Sequence, residues 1–189
     1  MAELSGQQVV KAKGKSKRVE HSAGRSLRAW TIFLSVATLG IAADLISKEV
    51  VFKILIDKPG KSIKIVDDVL RFTLSTNPGI VFGIPANRWI VLGATLLAIA
   101  AVVIIFLRSS YCKWGLHVSL AMMLAGAVGN GFDRFFNRVQ LPGSAKLTGV
   151  VRDFIDVRIF GFDYPTFNVA DILIVVGVGL IILQTLRHR

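Results

Sequence analysis

Residues 89–107, WIVLGATLLAIAAVVIIFL, are followed by a short connection, RSSYCK at 108–113, and then by residues 114–132, WGLHVSLAMMLAGAVGNGF. Neither long stretch holds an Asp, Glu, Lys or Arg. Each is long enough to cross a hydrocarbon core, which takes about 20 residues of α-helix. Outward from this pair lie two shorter uncharged blocks, 29–43 and 172–186. They become full spans only if each admits an aspartate at one end, Asp44 in the first and Asp171 in the second. An ionisable group inside a membrane segment is costly and is a functional candidate by default. The expected spans are therefore about 29–47, 89–107, 114–133 and 167–186.

Composition agrees with a membrane as solvent. Of the 189 residues 53% are hydrophobic, above the roughly 45–50% of soluble domains. The formal charge of +11 would suggest nucleic acid in a soluble protein, but here the cations sit in tails and loops between apolar blocks, where they suit anionic lipid. No nucleic-acid partner is expected. The lone Cys112 excludes an intramolecular disulfide, and His21, His117 and His188 lack metal-ligand spacing, so no metal or cofactor is expected.

Residues 1–28 are polar and basic without periodicity and read as a disordered cytoplasmic tail, ahead of a membrane domain at 29–189. Tail and first block together resemble a signal peptide with a cleavage site near Ala42 or Ala43, but Asp44 and Lys48 just beyond favour a retained helix. Four spans put both termini and the 108–113 loop on one side, and the basic ends place that side in the cytoplasm. In the first outer loop Ile63, Ile65, Leu70, Phe72 and Leu74 alternate with polar residues, which predicts a hairpin. The segment 149–160 reads equally as a strand or as an interfacial segment. The expected fold is a membrane all-α bundle of four transmembrane helices with a small extracytoplasmic β-sheet platform.

At 1.5 Å per residue, Asp171, Asp133 and Asp44 lie about 22, 27 and 24 Å from the inner ends of their helices. Three helices thus present an aspartate near the outer edge of a core about 30 Å thick. Asn77, Asn130 and Asn168 are expected at the same level, at the outer ends of spans two, three and four. Each has a plain structural alternative: Asn168 can cap the fourth helix with Asp171 in a capping box, and Asp133 can pair with Arg134. Lys48 can hold Asp44, meet a lipid phosphate or simply snorkel to the interface. Phe82, Trp89 and Phe167 can line a groove or belong to an aromatic belt. It is the convergence of several polar residues at one depth that favours a site.

Five segments, DLISK (44–48), NPGIVFG (77–83), AGAVGNGFDR (125–134), VVRDF (150–154) and FNVAD (167–171), together resemble the lipoprotein signal peptidases, bacterial signal peptidase II. The resemblance runs over roughly 30–186 and includes motif order and the four-helix plan. It implies an aspartic endopeptidase of the bacterial inner membrane that removes signal peptides from diacylglyceryl-modified prolipoproteins, cleaving before the lipidated cysteine, with the site on the extracytoplasmic face. It also implies a monomer among membrane lipids, with no cofactor. The resemblance, and not spacing, selects Asp153 and Asp171 as the catalytic pair from Asp44, Asp133, Asp153, Asp156 and Asp171. It gives Asp44, Lys48, Asn77, Gly79, Asn130, Asp133, Arg134 and Asn168 supporting or substrate-binding roles, and leaves Asp156 and Asp163 as solvated loop charges. Ile80 and Val81 depart from the two small residues usual in the family, and Ala125 replaces a common glycine. On the residues alone, an ion or proton transport component and a non-catalytic scaffold for signal helices remain rival readings.

Overall fold

The computed structural model describes residues 22–78, 87–140 and 147–187. Four helices carry the fold: α1 (Leu27–Ile56), α2 (Arg88–Arg108), α3 (Trp114–Phe136) and α4 (Val169–Arg187). All four are long and apolar enough to cross a membrane. At one end of the bundle lie β1 (Ser62–Val66), β2 (Leu70–Asn77), β3 (Arg138–Gln140), β4 (Leu147–Gly149), β5 (Val151–Ile159) and β6 (Phe162–Asp163). The expected bundle with a small sheet is what the chain forms.

The first helix overruns its expected end at 47. It has 30 residues, about 45 Å at 1.5 Å per residue, so it projects well beyond a hydrocarbon core. Nothing in KEVVFKILI (48–56) breaks a helix, and an exposed ion pair, Lys53 Nζ to Glu49 Oε1 at 3.1 Å, supports the projecting turns. Termination waits for Asp57, Lys58, Pro59 and Gly60, since the residue before a proline avoids the helical region. At the other end α1 begins two residues before the expected boundary, with the Ser26 hydroxyl accepting from the Ala29 N–H. Residues just ahead of it dock on the α2–α3 connection: the Ala23 N–H donates to the Ser109 carbonyl at 2.8 Å, and Ala23 is fully buried. Residues 1–21 of the expected tail lie outside the described residues.

Helix α3 is the centre of the bundle and packs on α1, α2 and α4. Without a hydrophobic drive between apolar helices in lipid, close approach of backbones at small residues supplies the contact. A Cβ added at Gly40 of α1 would come within 2.7 Å of the Ala125 Cβ on α3, and one at Gly126 would collide with the Ala170 carbonyl of α4. Towards the far end, Phe33 and Phe106 stack at 4.1 Å between centroids, with Trp30 edge-on to Phe106 and buried His117 beside it.

The expected hairpin forms as β1–β2, and the undecided segment 149–160 resolves into a strand, β5. The main sheet is antiparallel in the order β1-β2-β5-β6, and β3 pairs with β4 separately. The β2–β5 ladder pairs Phe72 with Ile155 and Ser75 with Asp153, with an irregularity between these pairs. Strand β5 leads into the bundle because Phe154 and Ile155 N–H groups both donate to the Phe167 carbonyl, and Phe167 N–H returns to Ile155. That three-bond clasp seats Asp153 next to the start of α4. Asn77 is the last residue of β2, opposite Val151, and does not belong to span two as expected, because the strand carries the chain across the sheet before α2 begins.

Packing this close makes Gly126 intolerant. Gly126→Ala is expected to lower stability in detergent by about 1–3 kcal/mol, the usual cost of overpacking, whereas Gly93→Ala, which meets nothing within 4 Å, should not. Thermal unfolding of both variants checks this.

Candidate active site

The start of α4 is a reciprocal cap. The Asn168 side-chain carbonyl accepts from the Asp171 N–H at 3.1 Å, and the Asp171 carboxylate accepts from the Asn168 N–H at 3.2 Å. The capping-box geometry thus exists as the plain structural alternative foresaw. It does not exhaust either residue. Fully buried Asn168 also donates its amide to Asp153 Oδ1 at 2.6 Å and to Asn130 Oδ1 at 3.2 Å. Asn130 in turn donates to Asp171 Oδ1 at 2.8 Å. The Asp153 and Asp171 carboxylates are therefore linked through one asparagine, by its side-chain amide and its backbone N–H respectively, with a second asparagine closing the ring.

Beneath this ring lies an ion cluster. Lys48, fully buried, places its ammonium 2.8 Å from Asp44 Oδ2, 2.9 Å from Asn130 Oδ1 and 3.3 Å from Asp133 Oδ2. It neither snorkels nor meets lipid: taking an ammonium out of water is tolerable because two carboxylates and an amide carbonyl replace the hydration. The other oxygen of Asp44 accepts from the Ala170 N–H at 2.9 Å, which satisfies an orphan donor in the first turn of α4. The three aspartates expected at one depth, Asp44, Asp133 and Asp171, do meet, and Lys48 and Asn130 are the reason. Asp133 does not depend on Arg134 for a partner. It accepts from Lys48, from the Asn137 amide at 2.8 Å and from Arg152 at 2.9 and 3.1 Å. The Arg134 guanidinium acts electrostatically on Asp171, Asp153 and Asp133 together.

The two members of the pair sit in unlike surroundings. Asp153 is 2% exposed. Burial pushes its carboxyl up to about 7, and the nearby Asp171 charge adds to this against the opposing hydrogen bonds from Asn168 and Asn77 and the charge of Lys48. Asp171 is partly exposed and carries two donors on its oxygens. A carboxyl raised to about 7 next to one that accepts two hydrogen bonds is an arrangement general acid–base chemistry can use. Among the described residues no three His, Cys, Asp or Glu side chains are grouped as a metal site requires.

Some expectations change. Asp156 is not a solvated loop charge: it is 7% exposed on β5 and paired with Arg71 of β2, because the strand faces it into the sheet. Asp163 is exposed and paired with Arg158 at 2.7 Å. Gly79 and Phe82 lie outside the described residues. Trp89 is largely exposed, and Phe167 packs edge-on to Tyr164. Arg152 and Glu49, absent from the expected set, join the cluster through a 2.9 Å ion pair. Once 149–160 is known to be a strand, alternation turns Arg152 to the face opposite Asp153, but the sequence carried no signal for its partners.

Comparison with known proteins now defines the class. Two solved structures described as a bacterial membrane enzyme determined by the in meso method, at 2.3 and 1.9 Å resolution, are similar to this chain. Each is 29% identical; the TM-scores are 0.70 and 0.69, covering 82% and 83% of this chain and 87% and 94% of theirs. The fold is thus that of a multi-pass bacterial membrane enzyme. A family model, signal peptidase (SPase) II, matches residues 36–187. The chain belongs to the signal peptidase II family, aspartic peptidases of the bacterial inner membrane that act on lipoprotein signal peptides.

Removing Lys48 while keeping its neighbours should expose how much the cluster depends on it. Lys48→Met leaves Asp44 and Asp133 buried without their shared cation, a change worth about 3–5 kcal/mol in comparable broken pairs. A lowered thermal midpoint in detergent is expected, and an unchanged one would show that the cluster is solvated.

Proposed function

We propose that this chain cleaves the signal peptide from a prolipoprotein just before a cysteine that carries diacylglycerol, with Asp153 and Asp171 as the catalytic pair. The observation that carries the reading is the shared Asn168: its amide donates to Asp153 while its backbone N–H donates to Asp171. Two carboxylates so close do not both ionise cheaply, so one proton serves the pair. Asp171, partly exposed and holding two donors, takes a proton from the attacking water. The water oxygen bonds to the scissile carbonyl carbon while the Asp153 carboxylic acid protonates the carbonyl oxygen. Collapse of the tetrahedral species breaks the C–N bond as Asp171 gives the departing nitrogen the proton it took from water, and Asp153 recovers its own from the hydroxyl as the carbonyl re-forms. No covalent enzyme intermediate and no cofactor are involved.

Asn130 and Asn168 keep the two carboxylates in register, Arg134 balances their charge, and Asn77 with Gly79 meets the substrate backbone. Asp44, Lys48 and Asp133 hold the helices that carry the pair. The signal helix lies in the bilayer, so its scissile bond reaches the level where hydrocarbon gives way to headgroups and water. Basic residues at both ends of the chain support cytoplasmic termini, which puts the pair at the extracytoplasmic face. Residues 1–21 serve as a basic tail ahead of a single membrane domain, which takes in the expected tail's last residues, 22–28, and the enzyme works as a monomer among membrane lipids.

Asp153→Asn and Asp171→Asn should each lower cleavage of a diacylglyceryl-modified prolipoprotein by at least about 10²–10⁴-fold, the usual contribution of a positioned acid or base, with binding retained. Full activity in either folded variant removes that residue from the mechanism. The pH profile supplies a separate check. A carboxyl raised from 3.8 to about 7 in the free enzyme keeps its proton across that interval and loses it above, so kcat/KM is expected to fall as pH rises through about 7. A rate that climbs steadily through that point would rule out Asp153 as the acid.

A further inference from the structure

Among the described residues, the part of strand β5 that carries Asp153 has a strand partner on one edge only, where Val151, Arg152 and Asp153 pair with Asn77, Thr76 and Ser75 of β2. On one edge its ladder with β2 is irregular between the pairs at Phe72 and Ser75, and Ser75 is the residue opposite Asp153. On the other edge β6 reaches only Arg158 and Ile159, and the Phe167 clasp engages only Phe154 and Ile155. At residue 152, immediately before Asp153 and opposite Thr76 of β2, the backbone N–H donates to Asp133 Oδ2 at 3.0 Å. The side chain of the same residue reaches the same carboxylate: Arg152 Nε and Nη2 lie 3.1 and 2.9 Å from Asp133 Oδ1. Its remaining arm, Nη1, lies 2.9 Å from Glu49 Oε2 on α1, and its guanidinium carbon sits 5.9 Å from the centroid of Phe52 one turn further along.

We propose that Arg152 is a positioning residue that clamps the strand carrying Asp153 onto helices α1 and α3, and so fixes the distance from Asp153 to Asp171. The proposal rests on Asp153 acting as catalytic acid. Arg152 does not touch the reacting atoms, because alternation along the strand turns it away from Asp153. It acts through the backbone. The planar fork engages one carboxylate with two donors while a third meets Glu49, a geometry that an ammonium cannot reproduce. The result is an alternating row of charges, Asp44, Lys48, Asp133, Arg152 and Glu49, which runs from the bundle interior to its rim. The four inner residues are buried or nearly so, whereas Glu49 is about half exposed. A substrate pressing on the sheet therefore meets a strand tied to the two longest helices, and the spacing of the carboxylates survives.

The test uses the full chain in detergent with a diacylglyceryl-modified prolipoprotein, comparing Arg152→Val, Arg152→Lys, Glu49→Gln and the Arg152→Val/Glu49→Gln pair, each normalised to folded protein by thermal melting. Misplacement by about 1 Å costs a reaction on the order of 10²-fold, so Arg152→Val is expected to lose ten- to a hundred-fold in kcat with KM unchanged. Arg152→Lys should recover part of that loss. Glu49→Gln should lower kcat a few-fold alone and have no further effect on the Arg152→Val background. Wild-type kcat in folded Arg152→Val overturns the clamp, as does a loss that lies in KM alone. Should Arg152→Val not fold, wild-type kcat in both Arg152→Lys and Glu49→Gln overturns it equally. Asp153→Asn run alongside separates the two readings: activity there sinks the catalytic pair itself, whereas an inactive Asp153→Asn with fully active Arg152 variants leaves the pair and removes the clamp.

Discussion

The buried ammonium of Lys48 is the interaction on which the rest of the site depends. Withdrawing one charge from water costs several kcal/mol even after relaxation, so Lys48 can stay buried only if anionic and dipolar partners close around it. Those partners come from different helices: Asp44 lies on its own α1, and Asp133 and Asn130 on α3. Asp44 then reaches α4 through the Ala170 N–H. A single cation thereby sets three helices at one depth, and slipping any of them along its axis would leave a charge unpaired.

The same ammonium orients the asparagines. Because Asn130 offers its carbonyl oxygen to Lys48, its amide nitrogen points the other way, at Asp171. Asn168 is oriented by its own helix: its carbonyl caps the Asp171 N–H, so its amide nitrogen is left for Asp153 and Asn130. Polar networks in a low-dielectric setting reward full satisfaction and penalise gaps. Here the network distinguishes two kinds of aspartate. Asp44 and Asp133 accept from the Lys48 ammonium, whereas Asp153 and Asp171 accept from the amides of Asn168 and Asn130.

Much of this was legible in the sequence, and for stated reasons. Hydrophobic length found α2 within one residue at each end and α3 within three, because the short polar connection from Arg108 to Lys113 separates the two apolar runs. Alternation found β1 and β2. Counting at 1.5 Å per residue put Asp44, Asp133 and Asp171 at one level, and the packed bundle brings them together. The end of α1 was less legible, since a charged pair such as Glu49 and Lys53 looks like the end of a span although it suits a helix that continues into water. Asp156 looked like a loop charge for a related reason: its partner Arg71 is far away in the chain and becomes a neighbour only when β2 pairs with β5.

What the sequence by itself determined is the set of apolar spans and the level of each polar residue along its own helix, because hydropathy and helical rise are local properties of the chain. What only the tertiary structure decided is which polar residue faces which. Nothing local in VVRDF says that Arg152 turns to Asp133 while Asp153 turns to Asn168, or that Asn130 serves Lys48 and Asp171 at once. Those choices follow from the close approach of α3 to α1 and α4 at Gly40, Gly126 and Gly129, where a Cβ would strike the opposing helix. Contacts between segments far apart in sequence depend on how whole helices pack, and packing is decided only when every helix is present.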